Sequence, residues 1–201
     1  MRLTVAPARL TLEEAAQTLG SLRQRAATVL VAIDGPGGAG KSTLAAALAR
    51  RLAAAVVAGD DFYRVLDPLV RLALDPQGGA MQYFDWERLR AEVLEPLRED
   101  RPARYRRFDW ERERLGAEVE VPPGGLVLVE GVYTFRPELQ QFYDWSFLVD
   151  SPHEERLRRQ RARGENEDSW IARWDAAEQW YFANAFPYSE VDAVVSGVRV
   201  A

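Results

Sequence analysis

A continuous apolar run, Val29-Leu-Val-Ala-Ile33, leads into Gly35-Pro-Gly-Gly-Ala-Gly40-Lys41-Ser42, and an alanine-rich stretch from Thr43 to Leu52 follows. No other segment restricts the fold so tightly. The apolar run has the composition of a strand buried on both faces of a parallel sheet. Alanine and leucine favour helix in the stretch behind it. Between them, the pattern G-x-x-x-x-G-K-[ST] lets successive backbone N–H groups curl around an anion, to which the following helix points its positive end. Gly35, Pro36, Gly37, Gly38, Ala39, Gly40, Lys41, Ser42 and Thr43 are therefore candidate nucleotide-binding residues. Lys41 reaches the β- and γ-phosphates, and the Ser42 hydroxyl is a ligand for Mg²⁺.

The charge inventory singles out the same place. Lys41 is the only lysine among 26 basic residues, so the chain uses arginine for its other cations and keeps one compact ammonium in the loop. Net charge is −5, which disfavours broad nucleic-acid binding. With no cysteine and one histidine, a His/Cys zinc site is excluded and a Ser-His-Asp triad is disfavoured. No run approaches 18 apolar residues, so no membrane span is expected, and the first residues lack the apolar core of a secretory signal. The expectation is a soluble, cytoplasmic protein with one domain over residues 1–201. Its residues 1–27 form a helical extension.

Further along, the pattern alternates β and α. Thr11 to Glu14 reads as a capping box that opens a helix over 12–25. Val56 to Ala58, Leu126 to Val129, Phe147 to Val149 and Val191 to Val195 read as strands, helices are expected over 85–99 and 167–184, and residues 102–122 read as irregular chain or a hairpin. Pro96 bends or splits the first of those helices. Ser151-Pro152-x-Glu154 reads as a helix start with Ser151 as the cap. Strands separated by helices imply right-handed crossovers and an α/β fold. The expected fold is that of a P-loop NTPase, with a parallel sheet of about five strands covered by helices on both faces.

Acids at strand ends carry the next signal. Asp60 and Asp61 follow the second strand of the nucleotide-binding core, at the carboxyl edge where open α/β sheets bind ligands. A kinase acting on an alcohol needs a carboxylate there to accept the hydroxyl proton, and Asp60 is the candidate base. Glu130 ends an apolar run and suits Mg²⁺ or its waters, with Asp150 as its competitor. Arg156, Arg158, Arg159, Arg161 and Arg163 crowd one helix and its exit. They read either as a solvated cationic face or as a mobile lid over about 156–168 that brings arginines to the transferring phosphate. The aromatics Tyr83, Phe84, Trp86, Tyr105, Phe108 and Trp110 either line a substrate pocket or pack the core. Trp170, Trp174, Trp180, Tyr181, Phe182 and Phe186 are expected to pack the last helix against the sheet.

GPGGAGKST at 35–43, DDFYRVL at 60–66, QYFDWERL at 82–89, LVEGVYTF at 128–135 and FLVDSPHEERLRRQRARG at 147–164 together resemble the uridine kinase, nicotinamide riboside kinase and phosphoribulokinase group of P-loop kinases. The resemblance spans most of residues 29–196. It implies that Asp60 is the general base for a ribose hydroxyl and Asp85 holds sugar hydroxyls. It further implies substrate-binding roles for Tyr63 and Tyr105, a magnesium-linked role for Glu130, and lid roles for Arg159 and Arg163. Uridine kinases carry a pyrimidine-reading histidine where this chain has Trp110, and an indole donates a hydrogen bond but accepts none. Trp110 is thus a substrate-binding candidate of different chemistry.

The expected activity is ATP- and Mg²⁺-dependent transfer of a phosphoryl group to a primary hydroxyl of a small nucleoside-like or sugar-like molecule. Two alternatives stay open: a nucleotide-binding regulatory protein that phosphorylates no acceptor, and a nucleoside monophosphate kinase. A GTPase switch is disfavoured, since its guanine-reading N-K-x-D motif needs a second lysine.

Overall fold

The computed structural model describes residues 7–24, 26–164 and 167–197. A six-stranded sheet, every neighbouring pair parallel, runs in the order β1 (Ala8–Leu10), β8 (Ala193–Ser196), β7 (Trp145–Asp150), β2 (Thr28–Asp34), β6 (Gly125–Glu130) and β3 (Ala55–Ala58). All seven residues of β2 are buried. Its side chains alternate between two cores, as strand geometry requires. Val29, Val31 and Ile33 pack with Ala15 and Leu19 of α1 (Leu12–Leu22) and with Leu44 and Leu48 of α2 (Lys41–Leu52). Leu30 and Ala32 face the other core, with Leu89, Leu94, Leu97, Phe135 and Tyr181.

The sheet has one strand more than expected, and the difference lies in the amino-terminal segment. Residues 8–10 pair with β8 before α1 begins, so the segment extends the sheet as well as adding a helix. Three residues at an edge carry too little pattern to announce themselves. The capping box is present: Glu14 N–H donates to Thr11 Oγ1 at 3.2 Å, and Thr11 N–H donates to Glu14 Oε2 at 2.8 Å. Residues 1–6 and 25, which the expected extension includes, lie outside the described residues.

Three further elements frame the cleft. After β3, a 3₁₀ turn (Gly59–Phe62) leads to the short helices α3 (Pro68–Ala73) and α4 (Pro76–Gln82). The expected helix over 85–99 is present as α5 (Trp86–Leu89), a π-helical turn (Arg90–Leu94) and α6 (Glu95–Arg98). Pro96 lacks an N–H and crowds the carbonyl four residues back, and the wider π turn ahead of it accommodates both defects. Residues 102–122 form a two-stranded antiparallel hairpin of β4 (Ala103–Asp109) and β5 (Arg114–Val121). Beyond β7 come α7 (His153–Arg163) and α8 (Asp168–Asn184). No helix among the described residues is long and apolar enough to cross a membrane.

Candidate active site

The loop between β2 and α2 is braced from behind. Arg156 Nη1 donates to Gly37 O at 3.5 Å, Arg159 Nη1 to Gly38 O at 3.3 Å, and Ser151 Oγ to Ala39 O at 3.0 Å. Carbonyls drawn toward the 151–159 segment leave the N–H side of the loop to an anion. The first turn of α2 has no side-chain cap, since Gly40 stands at its N-cap, so its N–H groups are free for the same use. Gly38 shows why this loop is glycine-rich: its φ is +74°, and a Cβ there would lie 2.5 Å from Arg156 O. Lys41 Nζ donates to Pro36 O at 3.1 Å and is buried.

These contacts revise two expectations. Ser151 does not cap α7; the helix starts after Pro152 with no side-chain cap, and the hydroxyl is turned to the loop. Arg159 is held by Glu155 Oε1 at 2.8 Å and by the loop carbonyl, on the outer side of the loop. Of the two expected lid arginines, only Arg163 lines the cleft. Residues 165 and 166 of the expected lid lie outside the described residues.

The cleft encloses about 460 Å³, and Gly37, Gly38, Gly40, Lys41 and Ser42 of the phosphate loop line it. Asp60 reaches it from the 3₁₀ turn and Glu130 from the end of β6. Neighbouring Asp61 turns away to the hairpin, accepting from Tyr105 Oη at 3.2 Å and pairing with Arg107 at 3.3 Å. Burial raises the Asp61 carboxyl above its ordinary value, and Arg107 opposes the rise. Burial also raises Glu130, against the pull of Lys41; Asp60 adds to the rise, and Ser42 and Arg163 oppose it. Asp150 is exposed at the end of β7.

Aromatic rings make up much of the remaining lining. Tyr63, Tyr83, Phe84, Trp110, Trp170 and Trp174 all line the cleft. The Tyr63 centroid lies 4.8 Å from Trp110 and 5.5 Å from Trp174, and Tyr83 lies 4.7 Å from Trp174. The hairpin contributes Trp110, α4 leads into Tyr83, and α8 contributes Trp170 and Trp174. Trp174 also packs against the core, as expected and as Trp180, Tyr181, Phe182 and Phe186 of the same region do, whereas Trp170 is not among the residues packed there. Two other candidates stand outside the cleft lining. Asp85 caps α5, accepting from Arg88 N–H at 3.3 Å, and lies 3.5 Å from Arg64. Tyr105 is buried beside Phe62, with its hydroxyl on Asp61.

Two buried acids escaped the sequence reading. Asp34 ends β2 at 0% exposure and accepts from Gly35 N–H at 2.6 Å, Phe135 N–H at 2.8 Å, Tyr133 N–H at 3.2 Å and Tyr181 Oη at 3.1 Å. Burial pushes its carboxyl up to about 6, although those donors and Lys41 hold the charge. Glu178, in α8, accepts from Gly37 N–H at 2.7 Å, and burial pushes it up to about 7. An acid inside an aromatic helix carries no sequence signal for such a role.

The donor set fits a hard divalent cation. Ser42 and Glu130 line the same cleft, and Mg²⁺ is held by one or two protein oxygens together with nucleotide phosphates and water. Among the described residues there is no group of three or more His, Cys, Asp or Glu placed to hold a metal, and binding of this kind requires none.

A braced phosphate loop with an acid at each of two strand ends is the cleft of a P-loop kinase. Residues 31–89 match the cytidylate kinase family. A "putative fructose transport system kinase" from Silicibacter sp. TM1040 is 31% identical, with a TM-score of 0.70 over 92% of this chain and 98% of that one. A "possible uridine kinase" from Bacillus stearothermophilus shares the fold at 19% identity, with a TM-score of 0.71 over 92% of this chain and 97% of that one. No protein of curated function matches the chain. The chain belongs to the P-loop kinases, in the family of the Silicibacter protein.

Proposed function

We propose that this kinase transfers the γ-phosphoryl group of ATP to a primary hydroxyl of a small, ring-containing molecule, nucleoside-like or sugar-like. The observation that carries the reading is that the phosphate loop, Asp60 and a group of aromatic rings line one and the same cleft. Backbone N–H groups of Gly38, Gly40, Lys41 and Ser42 and the Lys41 ammonium hold the phosphates. Mg²⁺, held by Ser42 and Glu130, supplies charge neutralisation to the phosphates when bound. Asp60 accepts the proton of the acceptor hydroxyl as its oxygen bonds to the γ-phosphorus, and ADP leaves with the electrons of the broken bond. Arg163 stabilises charge on the transferring group.

The aromatic lining speaks against a monophosphate acceptor, the reading that the cytidylate kinase match would favour. A second phosphate calls for arginine clamps. Arg163 is the only arginine among the described residues lining the cleft. Flat, apolar ring faces suit a planar base or the C–H face of a sugar.

ADP release measured with Mg·ATP against nucleosides, nicotinamide riboside, sugars and nucleoside monophosphates tests the proposal, with Lys41→Ala as the blank. A hydroxyl compound that raises release well above the blank supports it. Preference for a monophosphate identifies a nucleoside monophosphate kinase. Silence across the panel, with ATP binding confirmed separately, favours a regulatory nucleotide-binding role.

A further inference from the structure

Gly37 is gripped on both sides of its residue. Its N–H donates to Glu178 Oε2 at 2.7 Å, and its carbonyl accepts from Arg156 Nη1 at 3.5 Å. The two gripping side chains come from different helices and approach one another, with Arg156 Nη1 4.0 Å from Glu178 Oε2 and 3.7 Å from Asp175 Oδ1. Asp175 in turn accepts from or pairs with His153 Nε2 at 2.8 Å, which fastens the start of α7 to α8. Space at the loop is tight: a Cβ on Gly37 would lie 2.9 Å from Glu178 Oε1 and 3.1 Å from Gln160 Nε2.

Glu178 is 4% exposed and lines the cleft beside the loop. Keeping a carboxylate there is costly unless its hydrogen bond does something that an apolar residue cannot. Trp174 stands one helical turn earlier in α8 and forms part of the aromatic wall. One rigid helix thus carries both the acceptor wall and the grip on the loop.

We propose that Glu178 is a positioning residue for the phosphate loop: by fixing the Gly37 N–H it holds the loop in the shape that binds nucleotide phosphate. The inference rests on the reading of the cleft as a nucleotide site. Burial raises the carboxyl to about 7, so near neutrality much of the population is protonated. The requirement is accordingly for a hydrogen-bond acceptor at this point rather than for a full charge.

Calorimetric titration with Mg·ATP alone, together with urea unfolding, tests this on four proteins: wild type, Glu178→Ala, Glu178→Gln and Phe182→Ala. Loss of one buried acceptor corresponds to a roughly tenfold rise in Kd for Glu178→Ala. Glu178→Gln, which keeps a carbonyl oxygen at that position, recovers affinity to within about threefold of wild type. Phe182→Ala lies on the same helix and trims a ring packed against the core away from the loop; it lowers stability and leaves Kd unchanged, which separates positioning from general loosening of α8. Wild-type affinity in Glu178→Ala, or a glutamine variant no better than alanine, overturns the proposal. Should the alanine variant not fold, Glu178→Asp withdraws the carboxyl by one methylene and carries the same prediction, and wild-type affinity there overturns it equally. A wild-type protein that binds no Mg·ATP at millimolar concentration overturns the nucleotide reading itself, and this inference with it.

Discussion

The Tyr181 hydroxyl donates to Asp34 Oδ2 at 3.1 Å, joining the last long helix to the strand residue that immediately precedes the phosphate loop. The same carboxylate accepts the backbone N–H groups of Gly35, Tyr133 and Phe135. Three segments far apart in sequence therefore meet on one buried side chain. Asp34→Asn turns an acceptor into a donor that faces other donors, and should cost about 2–3 kcal/mol of stability in urea unfolding. Tyr181→Phe removes one of the four hydrogen bonds and should cost about 1–2 kcal/mol. A neutral Asp34→Asn would refute the structural role given to this cluster.

Asp60 should separate chemistry from binding. Asp60→Asn keeps the size of the side chain and removes its basicity, so kcat should fall at least about 100-fold while the Kd for Mg·ATP stays within a few-fold. Single-turnover kinetics and calorimetry on one preparation measure the two quantities. Equal turnover in the variant would exclude Asp60 as the base.

Arg159 and Arg163, two of the five arginines of α7, should behave differently. Arg163 lines the cleft and Arg159 braces Gly38 O from behind. Arg163→Ala should lower kcat by about 10²-fold with little change in melting temperature. Arg159→Ala should raise the Kd for Mg·ATP a few-fold and leave the chemical step nearly intact. The reverse pattern would mean that α7 rearranges on nucleotide binding and carries Arg159 into the cleft.

Trp110 offers a clean test of the aromatic lining, because half its surface is exposed (49%) and the core does not depend on it. Trp110→Ala removes the ring packed at a tilt against Tyr63. Once an acceptor is in hand, its KM should rise about tenfold, an effect of about 1.4 kcal/mol, with melting temperature and nucleotide affinity unchanged. An unaltered KM would place the acceptor elsewhere.

Stability should fall with rising pH across a window to which Glu178 and Asp34, both raised by burial, contribute, and the Glu178 share can be isolated. The Glu178 carboxyl stands at about 7 in the folded protein, against an ordinary 4.5. The folded state therefore holds a proton that the unfolded state has already released, and the associated stability is fully present below pH 4.5 and lost as pH rises through 7. The span corresponds to at most about 3 kcal/mol. Glu178→Gln removes this contribution, so the difference in unfolding free energy between variant and wild type should change between pH 4.5 and 7 and level off above. A constant difference would show that the carboxyl does not titrate in that range.

Much of the nucleotide site is legible along the chain because its residues are close in sequence. A buried strand, a glycine loop and a helix start carry their pattern within residues 29–52, and the positions of Asp60 and Glu130 follow from the rule that ligands sit at the carboxyl edge of parallel strands. The acceptor side is different. Trp170 and Trp174 share an apolar character with Tyr181 and Phe186, and nothing in helical periodicity says which of them faces the core and which faces the cleft. Asp61 and Asp60 are adjacent and chemically identical; only the hairpin, with Tyr105 and Arg107, assigns one of them to a structural bond. Arg159 and Arg163 lie one turn apart, and the packing of α7 against the loop separates them.

Local propensity and short-range spacing account for the strand–loop–helix unit, the parallel α/β layering and the acids at the strand ends. Long-range packing is what makes residues 8–10 a sixth strand, buries Asp34 and Glu178 against the loop, and brings the aromatic rings into the cleft lining. Those features depend on hydrogen bonds and contacts between residues more than 100 positions apart, such as Gly37 with Glu178 and Asp34 with Tyr181. Their energies arise when distant segments are desolvated together, and no local pattern encodes which segments will meet.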